Sequence, residues 1–114
     1  DVIVLELGDG LLGPYGVSEI LACPDIRKAF RAVVLAANDP VGAWGGALRL
    51  RQEYGIEPTV VTGPATDNLA GTEVVEKMAQ VPAANARNSP RELGARVAAA
   101  LGLDVVPLDG LAEA

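Results

Sequence analysis

The chain contains no histidine, a single cysteine, one methionine, one tryptophan, and aromatic residues at only 4% of its 114 positions. Each shortage closes a class of function. Without histidine there is no Ser-His-Asp or Cys-His catalysis unless another chain lends the base, and no His/Cys zinc site. The lone Cys23 cannot close an intramolecular disulfide, and burial as a small apolar side chain is its expected role. So few aromatics leave Val, Leu, Ile and Ala to fill the core, the usual packing between helices and a parallel sheet rather than that of a β-sandwich.

Positive charge is also scarce. Nine Lys and Arg stand against fifteen Asp and Glu, a net charge of −6 with an isoelectric point near 4.5, which opposes attraction to nucleic acid or anionic lipid. The basic residues are scattered and form no run, so neither nucleic acid nor a membrane is expected as a partner. No apolar stretch reaches the roughly 18 residues of a membrane helix, and no signal-peptide pattern precedes the first apolar segment. A cytoplasmic location is the expectation. The sequence opens at Asp1 without a methionine and enters a strand pattern at once, as a trimmed, processed or excised part of a longer protein would.

What is present is an alternation of short apolar runs with helical patterns. Val2-Ile3-Val4-Leu5 reads as a strand buried on both faces, ending in the loop Glu6-Leu7-Gly8-Asp9-Gly10. Val17, Ile20 and Leu21 have helical spacing, and after Pro24 the stripe resumes at Ile26, Ala29 and Phe30, giving two short helices or one broken one. Ala32-Val33-Val34-Leu35-Ala36-Ala37 reads as a second strand. Asp39 as N-cap and Pro40 as first residue open a helix that runs to about Tyr54, with Val41, Trp44 and Leu48 on its apolar face and Gly55 as its stop. Thr59-Val60-Val61-Thr62 is a third strand, closed by Gly63-Pro64. Thr66 is the expected cap of a helix from Asp67 to about Gln80, with its stripe at Ala70, Val74 and Met78. Val81-Pro82-Ala83-Ala84 is a weak fourth strand, kept short or at an edge by Pro82. Ser89-Pro90-Arg91-Glu92 has the form of a capping box for a last helix with Leu93, Val97 and Leu101 inward, ended by Gly102. Residues 104–108 form a last short strand.

Strands separated by roughly 25 residues match the size of βαβ units with right-handed crossovers. The expectation is therefore an α/β fold: a three-layer, Rossmann-like, mostly parallel sheet of four to five strands with helices on both faces. It would form a single domain or half-domain over residues 1–108, followed by a loose tail at 109–114.

In such a sheet, ligands sit where loops leave the strand carboxyl ends, because helix N-termini there point free N–H groups at anions. Four polar segments fall at that rim: residues 6–10, 38–42, 62–68 and 85–89. An apolar strand delivering Glu6 and Asp9 to its end suits Mg²⁺, which takes hard oxygens on a rigid support; the plainer reading is a turn built by Asp9 and Gly10. Gly8, Gly10 and Gly13 spell the dinucleotide fingerprint by letter, but no helix pattern opens at the third glycine, and the nearest acid after the second strand, Asp39, lies too far on. Asn38 could meet a base or ribose, with Asp39 beside it at a helix start or simply capping. Thr62, Gly63 and Thr66 offer hydroxyls and a close backbone approach, and Asn85 and Arg87 could complete a nucleoside pocket, Arg87 as a phosphate contact.

The order Val2-Ile3-Val4-Leu5-Glu6-Leu7-Gly8-Asp9-Gly10-Leu11-Leu12-Gly13, then Val33-Val34-Leu35-Ala36-Ala37-Asn38-Asp39, then Val60-Val61-Thr62-Gly63 resembles the second half of a P-loop NTPase of the dethiobiotin synthetase-like group. The resemblance implies that residues 2–5 are the Walker B strand, that Glu6 or Asp9 lies near Mg²⁺, and that the loops at Asn38 and Thr62 lie toward the ATP; Gly8 and Gly10 are further candidates for nucleotide binding. The G-x-x-x-x-G-K-[ST] loop of that group is missing from this sequence, so the chain alone is not expected to hydrolyse ATP. Two other readings compete: a small Rossmann- or flavodoxin-like module binding NAD(P) or flavin through Gly8 to Gly13, and a non-enzymatic domain whose sheet edge or helix face pairs with a second copy.

Overall fold

The computed structural model describes residues 1–104. They divide into two compact units, Asp1–Phe30 and a second that starts at Arg31.

In the first unit, residues 2–5 are not a strand, and Ile3 and Val4 are 92% and 89% exposed. A strand exists through its ladder, and no described residue pairs with this run. Turns follow at residues 8–9 and 11–12. Two short helices then form, α1 (Val17–Ala22) and α2 (Pro24–Arg27), broken at Pro24 as the proline demands. Val17 and Leu21 are buried here, and the Arg27 guanidinium donates to the Leu21 carbonyl at 3.1 Å.

The second unit carries the sheet. β1 (Val34–Ala36) and β2 (Val60–Thr62) pair in parallel, Val34 opposite Val60 and Ala36 opposite Thr62, and Val61 makes one further parallel bridge to Ala83. Among the described residues the sheet therefore has two short strands, not the four to five of a three-layer fold. The first expected strand has no ladder. The fourth shrinks to a single bridge, because Pro82 has no N–H to extend it, although its carbonyl still accepts from Val61 at 2.9 Å. The last expected strand, over 104–108, falls almost wholly outside the described residues.

α3 (Pro40–Tyr54) follows β1 and begins and ends at the expected residues: the Asp39 carboxylate accepts from Gly42 N at 2.7 Å, and Gly55 closes the helix with φ +63°. The buried face differs from the expected one. Ala43, Ala47, Leu50 and Tyr54 face inward, whereas Val41, Trp44 and Leu48 remain partly or largely exposed. Small alanines let α3 lie close on α4 (Leu69–Ala79), whose Val75 and Ala79 join Val61, Ala65, Val81, Ala83 and Leu35 in one apolar cluster. The expected α4 stripe is likewise one residue out of phase: Val74 and Met78 are exposed and Val75 and Ala79 buried. α5 (Pro90–Leu101) packs against β2.

Two caps depart from the sequence reading. Residues 64–66 form a 3₁₀ turn, which shifts the α4 start to Leu69 and gives the cap to Asn68, whose Oδ1 accepts from Gly71 N at 2.8 Å. At α5 the Ser89 side chain makes no capping bond. Its backbone N–H, which a capping-box glutamate would need, already donates to the Asn85 carbonyl at 2.8 Å. Replacing Asn68 with Ala is expected to lower stability by about 1 kcal/mol, with Asn68→Asp nearly neutral; denaturant midpoints of the two variants check this.

Arg51 locks the far end of the helix pair. Its guanidinium makes two charge-assisted bonds to the Glu57 carboxylate, at 2.7 and 2.6 Å, and donates to the carbonyls of Ala79 and Gln80 where α4 ends. The hydrogen bond from Arg51 holds the Glu57 carboxyl below the usual glutamate range. An acid with a lowered folded value stabilises the fold above its unfolded value and loses that contribution as pH falls through the folded one. The melting temperatures of the wild type and Glu57→Gln should therefore differ at neutral pH and converge below about pH 4. A constant gap down to the most acidic pH would contradict the pairing.

Candidate functional site

Three of the four expected rim loops come together in the second unit. The β2 strand leaves through Gly63, which holds φ +92° and passes so close to the end of β1 that a Cβ there would stand 2.7 Å from the Ala37 carbonyl oxygen. Ala37 in turn donates to the Thr62 carbonyl and accepts from Ala65 N, both at 3.0 Å. The loop at 62–68 is thereby tied to the end of β1, from which the loop at 38–42 leaves.

Asn85 ties in the third. It is buried, and its Nδ2 donates to Thr66 Oγ1 and Asp67 Oδ1 at 3.0 Å each, with a longer contact to the Gly63 carbonyl at 3.5 Å. Its Oδ1 accepts from the backbone N–H groups of Arg87 and Asn88 at 3.0 and 2.9 Å. The Thr66 hydroxyl donates onward to the Gly63 carbonyl at 2.8 Å, and Thr62 Oγ1 accepts from Ala86 N at 3.0 Å. Every buried side-chain polar atom among the described residues has a partner, so the network is fully satisfied and rigid. Above it lies an open depression of about 260 Å³ lined by Gly63, Pro64, Asp67, Asn85, Ala86 and Arg87. It offers one carboxylate, one guanidinium and exposed backbone, and α4 and α5 both begin beside it.

Of the residues singled out in the sequence, Thr62, Gly63, Thr66, Asn85 and Arg87 meet here. Thr62, Thr66 and the Asn85 amide are spent on holding the loops, while Gly63 and Arg87 line the depression. Asp39 uses one carboxylate oxygen as the α3 cap, next to the exposed Asn38. Asp67 lay within the expected rim segment 62–68 but was not singled out, because it read as the first residue of a helix; the Gly63-Pro64 pair, which forces a turn before the helix can start, was the available signal.

Glu6, Gly8, Asp9 and Gly10 belong to the first unit. Asp9 Oδ2 accepts from the Tyr15 backbone N–H at 2.9 Å, and Gly10 holds φ +86° in the same turn. No helix opens at Gly13; the six-residue α1 begins at Val17. Among the described residues no group of three or more His, Cys, Asp or Glu gathers as a metal cluster. No helix is long and apolar enough to cross a membrane.

Comparison with family models, with curated proteins and with solved structures gives no match to this chain.

Proposed function

We propose that the rim around Gly63, Asp67, Asn85 and Arg87 binds the phosphate-bearing part of a nucleotide or a related anionic small molecule. In this reading the chain is the C-terminal part of an ATP-dependent, ligase- or kinase-like P-loop protein that acts in the cytoplasm. The observation that carries the reading is the buried Asn85, which fixes two strand-exit loops around a depression edged by the Arg87 guanidinium. Phosphate suits that setting: Arg87 offers a charge-assisted contact, and the N-terminal ends of α4 and α5 nearby carry positive partial charge that favours an anion.

The carboxylates of Glu6 and Asp9, one already turned onto a backbone amide, are fewer than a dedicated magnesium cage requires. Mg²⁺ would arrive with nucleotide phosphates, neutralising their charge. Without a phosphate-cradling loop the chain by itself binds weakly and does not turn over.

The test is calorimetric titration of the chain with ATP and with inorganic pyrophosphate, with and without Mg²⁺. Binding of the order of 1 mM or weaker, falling about tenfold in Arg87→Ala, is the expected result. Equal binding by wild type and Arg87→Ala would remove the assignment, as would no saturable binding by either the chain or its natural full-length form.

A further inference from the structure

The depression beside Asn85 carries two opposite charges that do not meet, and we infer that it selects phosphates with a positive charge next to them, Arg87 taking the phosphate and Asp67 the cation. The inference rests on the phosphate reading above and adds to it the kind of phosphate that is bound.

Asp67 and Arg87 line the same depression. The ion pairs among the described residues, Arg49 with Glu53 and Arg51 with Glu57, include neither of them. One buried amide holds both: Asn85 Nδ2 donates to Asp67 Oδ1, and Asn85 Oδ1 accepts from the Arg87 backbone N–H. The Asp67 main chain is fastened as well. Its N–H donates to the Pro64 carbonyl at 3.1 Å, and its own carbonyl accepts from Asn88 Nδ2 at 3.3 Å. The carboxylate therefore cannot swing over to a guanidinium without giving up its bond to Asn85. Among the described residues, neither the second Asp67 oxygen nor the Arg87 guanidinium has a hydrogen-bond partner, so both are open to a ligand.

Opposite charges in one small space decide between ligands. A bare polyanion gains from Arg87 and loses to Asp67, whereas a phosphate beside a cation gains from both. At about 260 Å³ the depression is below the roughly 300–1,000 Å³ of pockets that enclose a drug-sized ligand. It holds the charged end of a ligand and little else, so the two ligand charges must lie within a few bonds of each other. Two sources supply such a cation: a magnesium ion on the phosphate, which keeps its own waters and asks the protein for only one or two carboxylates, or an ammonium group on the same small molecule. The chemistry at Asp67 is the same for both.

Amide shifts of the labelled chain give dissociation constants for two matched pairs of probes: ATP with Mg²⁺ against ATP with EDTA, and aminoethyl phosphate against hydroxyethyl phosphate. In at least one pair the cation-bearing member should bind about fivefold tighter, the strength of a good exposed ion pair. Asp67→Asn, which keeps an acceptor for Asn85 Nδ2, should abolish that preference, and the pair that shows it names the source. The wild type supplies a second readout that needs no variant: the side-chain carboxyl carbon of Asp67 should shift with the cation-bearing probe and not with its partner. A wild type without preference in either pair overturns the inference while leaving phosphate binding in place. So does a preference that a folded Asp67→Asn retains, or an Asp67 carboxyl signal that responds alike to both members. Failure of the phosphate reading looks different: no probe binds saturably, or all bind Arg87→Ala as well as wild type, and the inference falls with it.

Discussion

Gly63→Ala should destabilise the protein by on the order of 3 kcal/mol, a fall of roughly 15 °C in melting temperature for a unit of this size. Two independent costs combine at this position. Its φ of +92° lies where an L side chain is strained. An added methyl would also stand 2.7 Å from the Ala37 carbonyl oxygen and 3.0 Å from the Ala37 nitrogen. Ala37 cannot yield without breaking its bonds to Thr62 and Ala65. Gly45→Ala is the internal control of opposite sign. Gly45 sits in the interior of α3, where nothing lies within 4 Å of a built Cβ, so the change should stabilise by up to about 1 kcal/mol. Thermal melts of the two variants against wild type decide the matter. A Gly63→Ala loss no larger than that of an ordinary surface substitution would mean that β2 does not leave the sheet as described.

Asn85→Ala should cost about as much, roughly 2–4 kcal/mol, for a different reason. The substitution leaves the N–H groups of Arg87 and Asn88 without their acceptor and strips Asp67 of a donor. Thr66, whose Oγ1 loses the same donor, is buried, and a polar group left short of partners there costs more than its bond contributed. Asn85→Asp separates the two halves of the role. It keeps an acceptor for Arg87 and Asn88 but turns a second carboxylate toward Asp67 in place of the Nδ2 donor. It should therefore be weak at neutral pH and recover as acid protonates one of the two. An Asn85→Asp variant as stable as wild type at neutral pH would contradict the assigned orientation of the amide. Because Asn85 also positions Arg87, its loss should weaken pyrophosphate binding even where the protein stays folded, in dilute denaturant-free buffer at low temperature.

The elements whose signals are local were legible in the sequence. Asp39-Pro40 and Gly55 mark the ends of α3, Pro24 splits α1 from α2, and Pro90 and Gly102 frame α5. Cap and breaker chemistry depends on adjacent residues, which a sequence displays directly. Three other features depend on what lies across space, and there the reading failed. Residues 2–5 have the composition of a buried strand, but composition supplies no ladder. On α3 and α4 apolar residues occur on several faces, so the bulky stripe of Val41, Trp44 and Leu48 outweighed the alanines that actually meet α4. The buried phase is set by how close two backbones can come, which residue size controls and hydrophobicity alone does not.

The rim was partly legible for the same reason. Clusters of Gly, Asn, Asp and Thr after apolar runs pointed to loops at 38–42, 62–68 and 85–89; the last two are bonded to each other, and the first leaves from Ala37, which is bonded to Thr62 and Ala65. The role of Asn85 as the link was not visible, since nothing in its neighbours indicates that a side chain about twenty positions from Thr66 and Asp67 reaches both.

The most direct measurement is a residue-resolved map of anion binding: backbone amide shifts of the labelled chain followed during titration with pyrophosphate. Perturbations that saturate together and are confined to residues 63–68 and 85–88, and that shrink in Arg87→Ala, are the predicted result. Shifts centred elsewhere, or spread evenly over exposed basic residues, would contradict it.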